Sequence, residues 1–194
     1  MKKFLIACAA FALLAGITIS AGAAETENKA KPIAGSTVGG AFTLVDGAGK
    51  PVTEKSWPGK YKLVFFGFTS CPEICPTTLT AIGGALEKLG AKADKIQPLF
   101  VTTDPGRDTP EVVNAYVKNF DPRIAGLTGT PEQLKSAEQT YKVYAAKRET
   151  DGGKDYTVDH SAFVYFMSPD DKMLAIMKGD AGASAIAEKI EPLL

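Results

Sequence analysis

Residues 62–76 read KLVFFGFTSCPEICP. The first half, Lys62 to Phe68, is a continuous apolar and aromatic run of strand length. It shows no polar alternation, so it reads as a strand buried on both faces. The second half sets Cys71-Pro72-Glu73-Ile74-Cys75-Pro76 between that strand and a helix start. Pro76 fits the first helical position, where a missing N–H loses no hydrogen bond. Leu79, Ile82, Leu86 and Leu89 follow at spacings of three, four and three, which is the apolar stripe of a helix packed on one side.

Downstream, Ile96 to Thr102 reads as the next strand. Thr109-Pro110-Glu111 opens a helix with an N-cap and a proline behind it. Thr130-Pro131-Glu132-Gln133 opens another, with Thr130 and Gln133 placed for a capping box. Lys147 to Asp159 is polar with Gly152-Gly153 in its middle, an exposed loop or ribbon leading to His160. His160 to Met167 reads as a strand, which Ser168-Pro169-Asp170-Asp171 turns into Met173 to Met177 as a hairpin. Gly182 to Leu193 is a closing helix. Upstream, Ala41 to Val45 is a short strand ended by the turn signal Asp46-Gly47. Strands alternating with helices argue for an α/β layer fold. A parallel start, an antiparallel hairpin and a final helix give the thioredoxin-like order, a central mixed β-sheet flanked by helices.

The N-terminus is of another kind. Lys2 and Lys3 precede the uncharged run Phe4 to Ile19, followed by the small residues Ser20-Ala21-Gly22-Ala23-Ala24. This is the pattern of a secretory signal with an Ala-x-Ala cleavage site. The expected division is a signal peptide over 1–23, a polar linker over 24–38 and the folded domain over 39–194. An uncleaved anchor is the alternative, since the uncharged run only just reaches the roughly 20 residues of a membrane span. Apolar residues make up 45% and charged ones 23%, as in a soluble globular domain. Removing Lys2 and Lys3 leaves a small acidic excess and no basic stripe, which argues against nucleic acid as a partner.

Of three cysteines, Cys8 falls in the signal, so the mature chain keeps Cys71 and Cys75, with His160 as the single histidine. A disulfide between them would close a very short loop and stabilise little in the chain-entropy model. A helix N-terminus favours thiolate, as a redox or metal-binding pair requires. A thioredoxin-type enzyme has two residues between its cysteines; here there are three, Pro72, Glu73 and Ile74. Such enzymes also place a proline before the strand facing the cysteines, where this chain has Asp159-His160-Ser161. A peroxiredoxin pattern, Pro-x-x-x-Thr-x-x-Cys, is broken by Val64 and Phe68. Two thiolates and an imidazole suit soft or borderline metals. Three ligands fit Cu(I), Cu(II) also accepts Cys and His, and zinc would take a fourth ligand from Asp104, Asp159 or Glu73. Asp104 to Pro110 should sit on the same edge as the cysteine loop, either as support for the ligands or as a loop leading into the helix capped by Asp108 or Thr109.

These residues resemble those of the Sco/SenC family of copper chaperones. The matching stretches are Phe66 to Thr77, Thr103-Asp104-Pro105 with Arg107 to Glu111, Gly126 to Thr130, and Tyr156-Thr157-Val158-Asp159-His160-Ser161. Gly106 and Glu73 depart from the family's usual glutamate and aspartate; neither position is a ligand. The resemblance implies a thioredoxin-like fold and one copper, Cu(I) or Cu(II), held by Cys71, Cys75 and His160. It implies a metallochaperone rather than a turnover enzyme. Its partners would be a periplasmic copper donor and the binuclear copper centre in subunit II of cytochrome c oxidase. It also implies a periplasmic, possibly membrane-tethered position. The alternative role is a thiol–disulfide oxidoreductase for the oxidase's copper-ligating cysteines, with Cys71 and Cys75 as the redox-active pair.

Overall fold

The computed structural model describes residues 31–194. The expected signal over 1–23 and the start of the expected linker lie outside the described residues. Within 31–38 the chain is tied to the domain, with the Ile33 N–H donating to the Met173 carbonyl.

The strands are β1 (Thr43–Asp46), β2 (Pro51–Thr53), β3 (Tyr61–Gly67), β4 (Ile96–Thr102), β5 (Ala125–Thr128), β6 (Ala145–Thr150), β7 (Asp155–His160), β8 (Phe163–Met167) and β9 (Met173–Lys178). The helices are α1 (Ile74–Leu89), α2 (Pro110–Lys118), α3 (Pro131–Tyr141) and α4 (Ala183–Ile190). Seven strands form one sheet in the order β2-β1-β5-β4-β3-β8-β9, while β6 and β7 form a separate two-stranded ribbon. β3, β4 and β5 run parallel, and β8 and β9 run antiparallel beside β3. This is the thioredoxin-like α/β arrangement, a mixed central sheet flanked by helices.

The uniform apolarity of β3 has its cause in two cores. Leu63 and Phe65 face a cluster built with α1, α2 and α4. Val64 and Phe66 face another built with α3 and Phe42. Lys62, 1% exposed, is the one charge in the run; its ammonium is paired with Asp171 at 2.5 Å, which offsets the desolvation of a buried charge. Leu79, Ile82, Leu86 and Leu89 are all buried on α1. Thr109 accepts a hydrogen bond from the Val112 N–H, and Thr130 with Gln133 completes the capping box.

Four sequence expectations need correction. Pro76 is the third residue of α1, not the first; its missing N–H still falls among the four that a helix start leaves without an intrahelical partner. The run His160 to Met167 is two strands. Ser161 N–H donates to the Tyr144 carbonyl and the Ala162 carbonyl accepts from Gly179, so the chain leaves the ribbon and enters the sheet between them. β2 and β5 were not expected as strands. The closing helix ends at Ile190 and continues as a 3-10 turn over Glu191–Leu193.

Candidate metal centre

The parallel strands β3 and β4 end at the same edge, where α/β sheets form their sites. β3 leads into a turn in which the Cys71 N–H donates to the Phe68 carbonyl at 3.2 Å. Cys71 is 9% exposed at that turn, and Cys75 lies fully buried in the first turn of α1. Gly67 makes room for it: a Cβ there would stand 2.5 Å from the Cys75 sulfur and 2.9 Å from the Phe100 ring. His160 arrives from the other side as the last residue of β7. The two sulfurs and a ring nitrogen of His160 all lie within 4.8 Å of one another. Among the described residues this is the one such group of histidine, cysteine and carboxylate side chains.

His160 Nε2 stands 3.5 Å from the Cys75 Sγ, and Nδ1 stands 3.1 Å from the Ser161 carbonyl. A carbonyl only accepts, so Nδ1 carries the proton and Nε2 turns its lone pair to the thiols. Phe65 and Phe68 meet the imidazole edge-on, with centroids at 6.2 and 5.7 Å.

The two thiols are unequal. The Cys71 thiol is pushed down to about 4, above all by the hydrogen bond from Cys75, with His160 and the Cys75 and Glu73 amides adding to it against the effect of burial. Cys75 is pushed up, because it donates that hydrogen bond and because it is buried. The pair therefore holds one proton, on Cys75, with a thiolate at Cys71. Such a site can coordinate a soft metal on releasing the second proton, or attack a disulfide through Cys71.

The carboxylates weighed as a fourth ligand are used elsewhere or stand apart. Asp104 is fully buried and bound to Tyr156 and Arg107. Asp159 pairs with Arg148 at 3.1 Å, and Glu73 is exposed. The Asp104 to Pro110 loop serves both readings weighed for it. Thr109 caps α2. Asp108 accepts from the Thr69 N–H at 3.0 Å, the Thr69 hydroxyl at 2.6 Å and the Thr102 hydroxyl at 2.5 Å, pinning the strand that leads to Cys71. Sequence reasoning assigned no part to Gly67, Phe65, Phe68 or Tyr156. For Tyr156 a signal existed: Tyr156, Val158 and His160 alternate, which puts them on one face of a strand.

A model of the SCO1/SenC family matches residues 30–194. The Arabidopsis thaliana protein named SCO1 homolog 1, mitochondrial, is 44% identical over 144 residues, covering 73% of this chain and 43% of that protein. The structure of Arabidopsis thaliana ScoI with copper bound superposes with a TM-score of 0.76 at 38% identity, covering 80% of this chain and 97% of that one. Bradyrhizobium japonicum ScoI with copper bound gives 0.74 at 39% identity, covering 81% and 99%. The chain spans about half the length of the plant and yeast relatives it matches.

Proposed function

The chain belongs to the SCO1/SenC family, and from that premise we propose that it carries one copper ion on Cys71, Cys75 and His160 and delivers it to the binuclear centre of cytochrome c oxidase. The observation that carries this is the gathering of the three donor atoms within 4.8 Å. Two thiolates and an imidazole satisfy three-coordinate Cu(I) and also hold Cu(II). The copper-bound relatives support copper as the cargo.

The residues act in order. Cys71 meets the metal already as thiolate, and Cys75 gives up the shared proton as its sulfur binds. His160 needs no rearrangement, since Ser161 already fixes its tautomer. The half-buried His160 and then Cys71 are more accessible than the fully buried Cys75, so a recipient's ligands can replace them one at a time while Cys75 holds last. The proposal includes export to the periplasm, resting on Lys2-Lys3, the uncharged run and Ala21-Gly22-Ala23.

The inequality of the thiols favours a second reading, a thiol–disulfide oxidoreductase. There Cys71 attacks a partner's disulfide to form a mixed disulfide, and Cys75 resolves it. The chain is left as a Cys71–Cys75 disulfide and the partner as two thiols. The two readings part at His160: delivery loses a ligand without it, whereas the dithiol chemistry keeps the hydrogen bond from Cys75, the larger influence on the Cys71 thiol. The His160→Ala variant, placed in a strain lacking the wild-type gene and assayed for oxidase activity at low copper, should fail to support assembly. Normal oxidase activity from a variant shown not to bind copper would overturn delivery and favour reduction.

A further inference from the structure

We propose that Asp104, Arg107 and Tyr156 form a latch that holds the β6–β7 ribbon to the body of the protein and thereby positions His160 against the two thiols. The inference rests on His160 being a ligand; it assigns the affinity of the site in part to residues outside the ligand set.

The need for a latch follows from topology. Cys71 and Cys75 are fixed by β3 and α1, which belong to the main body. His160 ends β7, which pairs only with β6. An isolated two-stranded ribbon is marginal in water at best, so its orientation depends on what anchors it. Val158 supplies an apolar anchor in the core cluster. The polar anchor is at Tyr156, four residues before His160 and on the same face.

Each member of the latch is held more than once. The Tyr156 hydroxyl donates to Asp104 Oδ1 at 2.8 Å, and Arg107 Nη1 donates to the Tyr156 carbonyl at 3.0 Å. The guanidinium carbon stands 3.9 Å from the Tyr156 ring centroid, and the Lys147 ammonium stands 4.2 Å from it. Arg107 Nε donates to Asp104 Oδ2 at 2.5 Å. Asp104 is itself rigid: it is fully buried, and its N–H donates to the Thr102 hydroxyl at the end of β4. A second route reaches the imidazole directly. The Arg107 guanidinium stands 5.9 Å from the Phe68 ring, which meets the His160 ring at 5.7 Å. Releasing Tyr156 frees the ribbon to pivot and moves Nε2 off the sulfurs, while the sulfurs stay where β3 and α1 put them.

The test compares reduced wild type, Tyr156→Phe, His160→Ala and the double variant for Cu(I) affinity, by competition with a chromogenic chelator. Tyr156→Phe removes one hydroxyl and keeps the ring. It should weaken binding roughly tenfold, the scale at which groups supporting a metal ligand act. In the His160→Ala background the same change should cost nothing further, because the latch works through the imidazole. Wild-type affinity in Tyr156→Phe, with His160→Ala weakened, overturns the latch. So does an equal loss in both backgrounds, which would mark a general loosening that also shows in thermal unfolding. Wild-type affinity in His160→Ala instead overturns the ligand assignment on which the latch depends.

Discussion

Cys71 and Cys75 share one sequence motif and differ in everything that decides reactivity. Cys71, nearly buried, has its thiol pushed down to about 4; Cys75 is fully buried and keeps its proton. Iodoacetamide at neutral pH should therefore label Cys71 first. Its rate should hold nearly level as pH falls to about 5 and drop through about 4, because a depressed thiol stays thiolate until the pH reaches its folded value. A rate already falling between pH 9 and 8, as for a free thiol near 8.5, would show that the hydrogen bond from Cys75 is not made. Gly67 makes the complementary case. A methyl there meets the Cys75 sulfur at 2.5 Å, so Gly67→Ala should cost about 1–3 kcal/mol in chemical denaturation. A variant as stable as wild type would mean the strand shifts freely. The cysteines were legible because their spacing sits at a strand–helix junction, and His160 because it stands where a redox enzyme has proline. Gly67 was not, since a tight contact across the fold leaves no mark on local pattern.

At the scale of elements, the site is an intersection of pieces that meet only in three dimensions. Asp108 shows the coupling: it precedes α2 yet accepts three hydrogen bonds from Thr69, in the turn after β3, and Thr102, at the end of β4. Asp108→Ala leaves the buried Thr102 hydroxyl and the half-buried Thr69 donors without a partner and should lower stability by about 2–4 kcal/mol. An unchanged melting temperature would show that water replaces the carboxylate. The long apolar strands β3 and β4 and the capped helices α2 and α3 were readable, because periodicity and caps are local signals. β5 was not, because it is four residues with a glycine in it; a Cβ at Gly126 would stand 2.6 Å from Val113 on α2. β2 is three residues and starts with proline, which strands avoid except at edges. The break between β7 and β8 escaped notice because Ser161 and Ala162 interrupt an otherwise continuous strand-like run, and only the partners of their backbone groups divide it.

At the scale of the whole molecule, the main body carries the thiols, beyond the end of β3 and in α1, and a separate ribbon carries the imidazole, so copper held by all three would join two parts of the chain. The sulfurs lie within 4.8 Å and can close into a disulfide, and a protein oxidised in this way should take up no copper until it is reduced. Equal uptake by oxidised and reduced samples would show that the thiolates are not ligands. Export is tested by N-terminal sequencing of protein from its native host: a start near Ala24 is expected, and an intact Met1 in the membrane fraction would replace cleavage with anchoring. The central claim is tested most directly by the copper content of reduced protein after dialysis against a competing chelator, with and without His160. Wild type should retain one copper per chain. His160→Ala, with a stability loss on the order of 1 kcal/mol, should remain folded and lose most of its copper. A folded His160→Ala protein that kept the wild-type copper content would contradict the account.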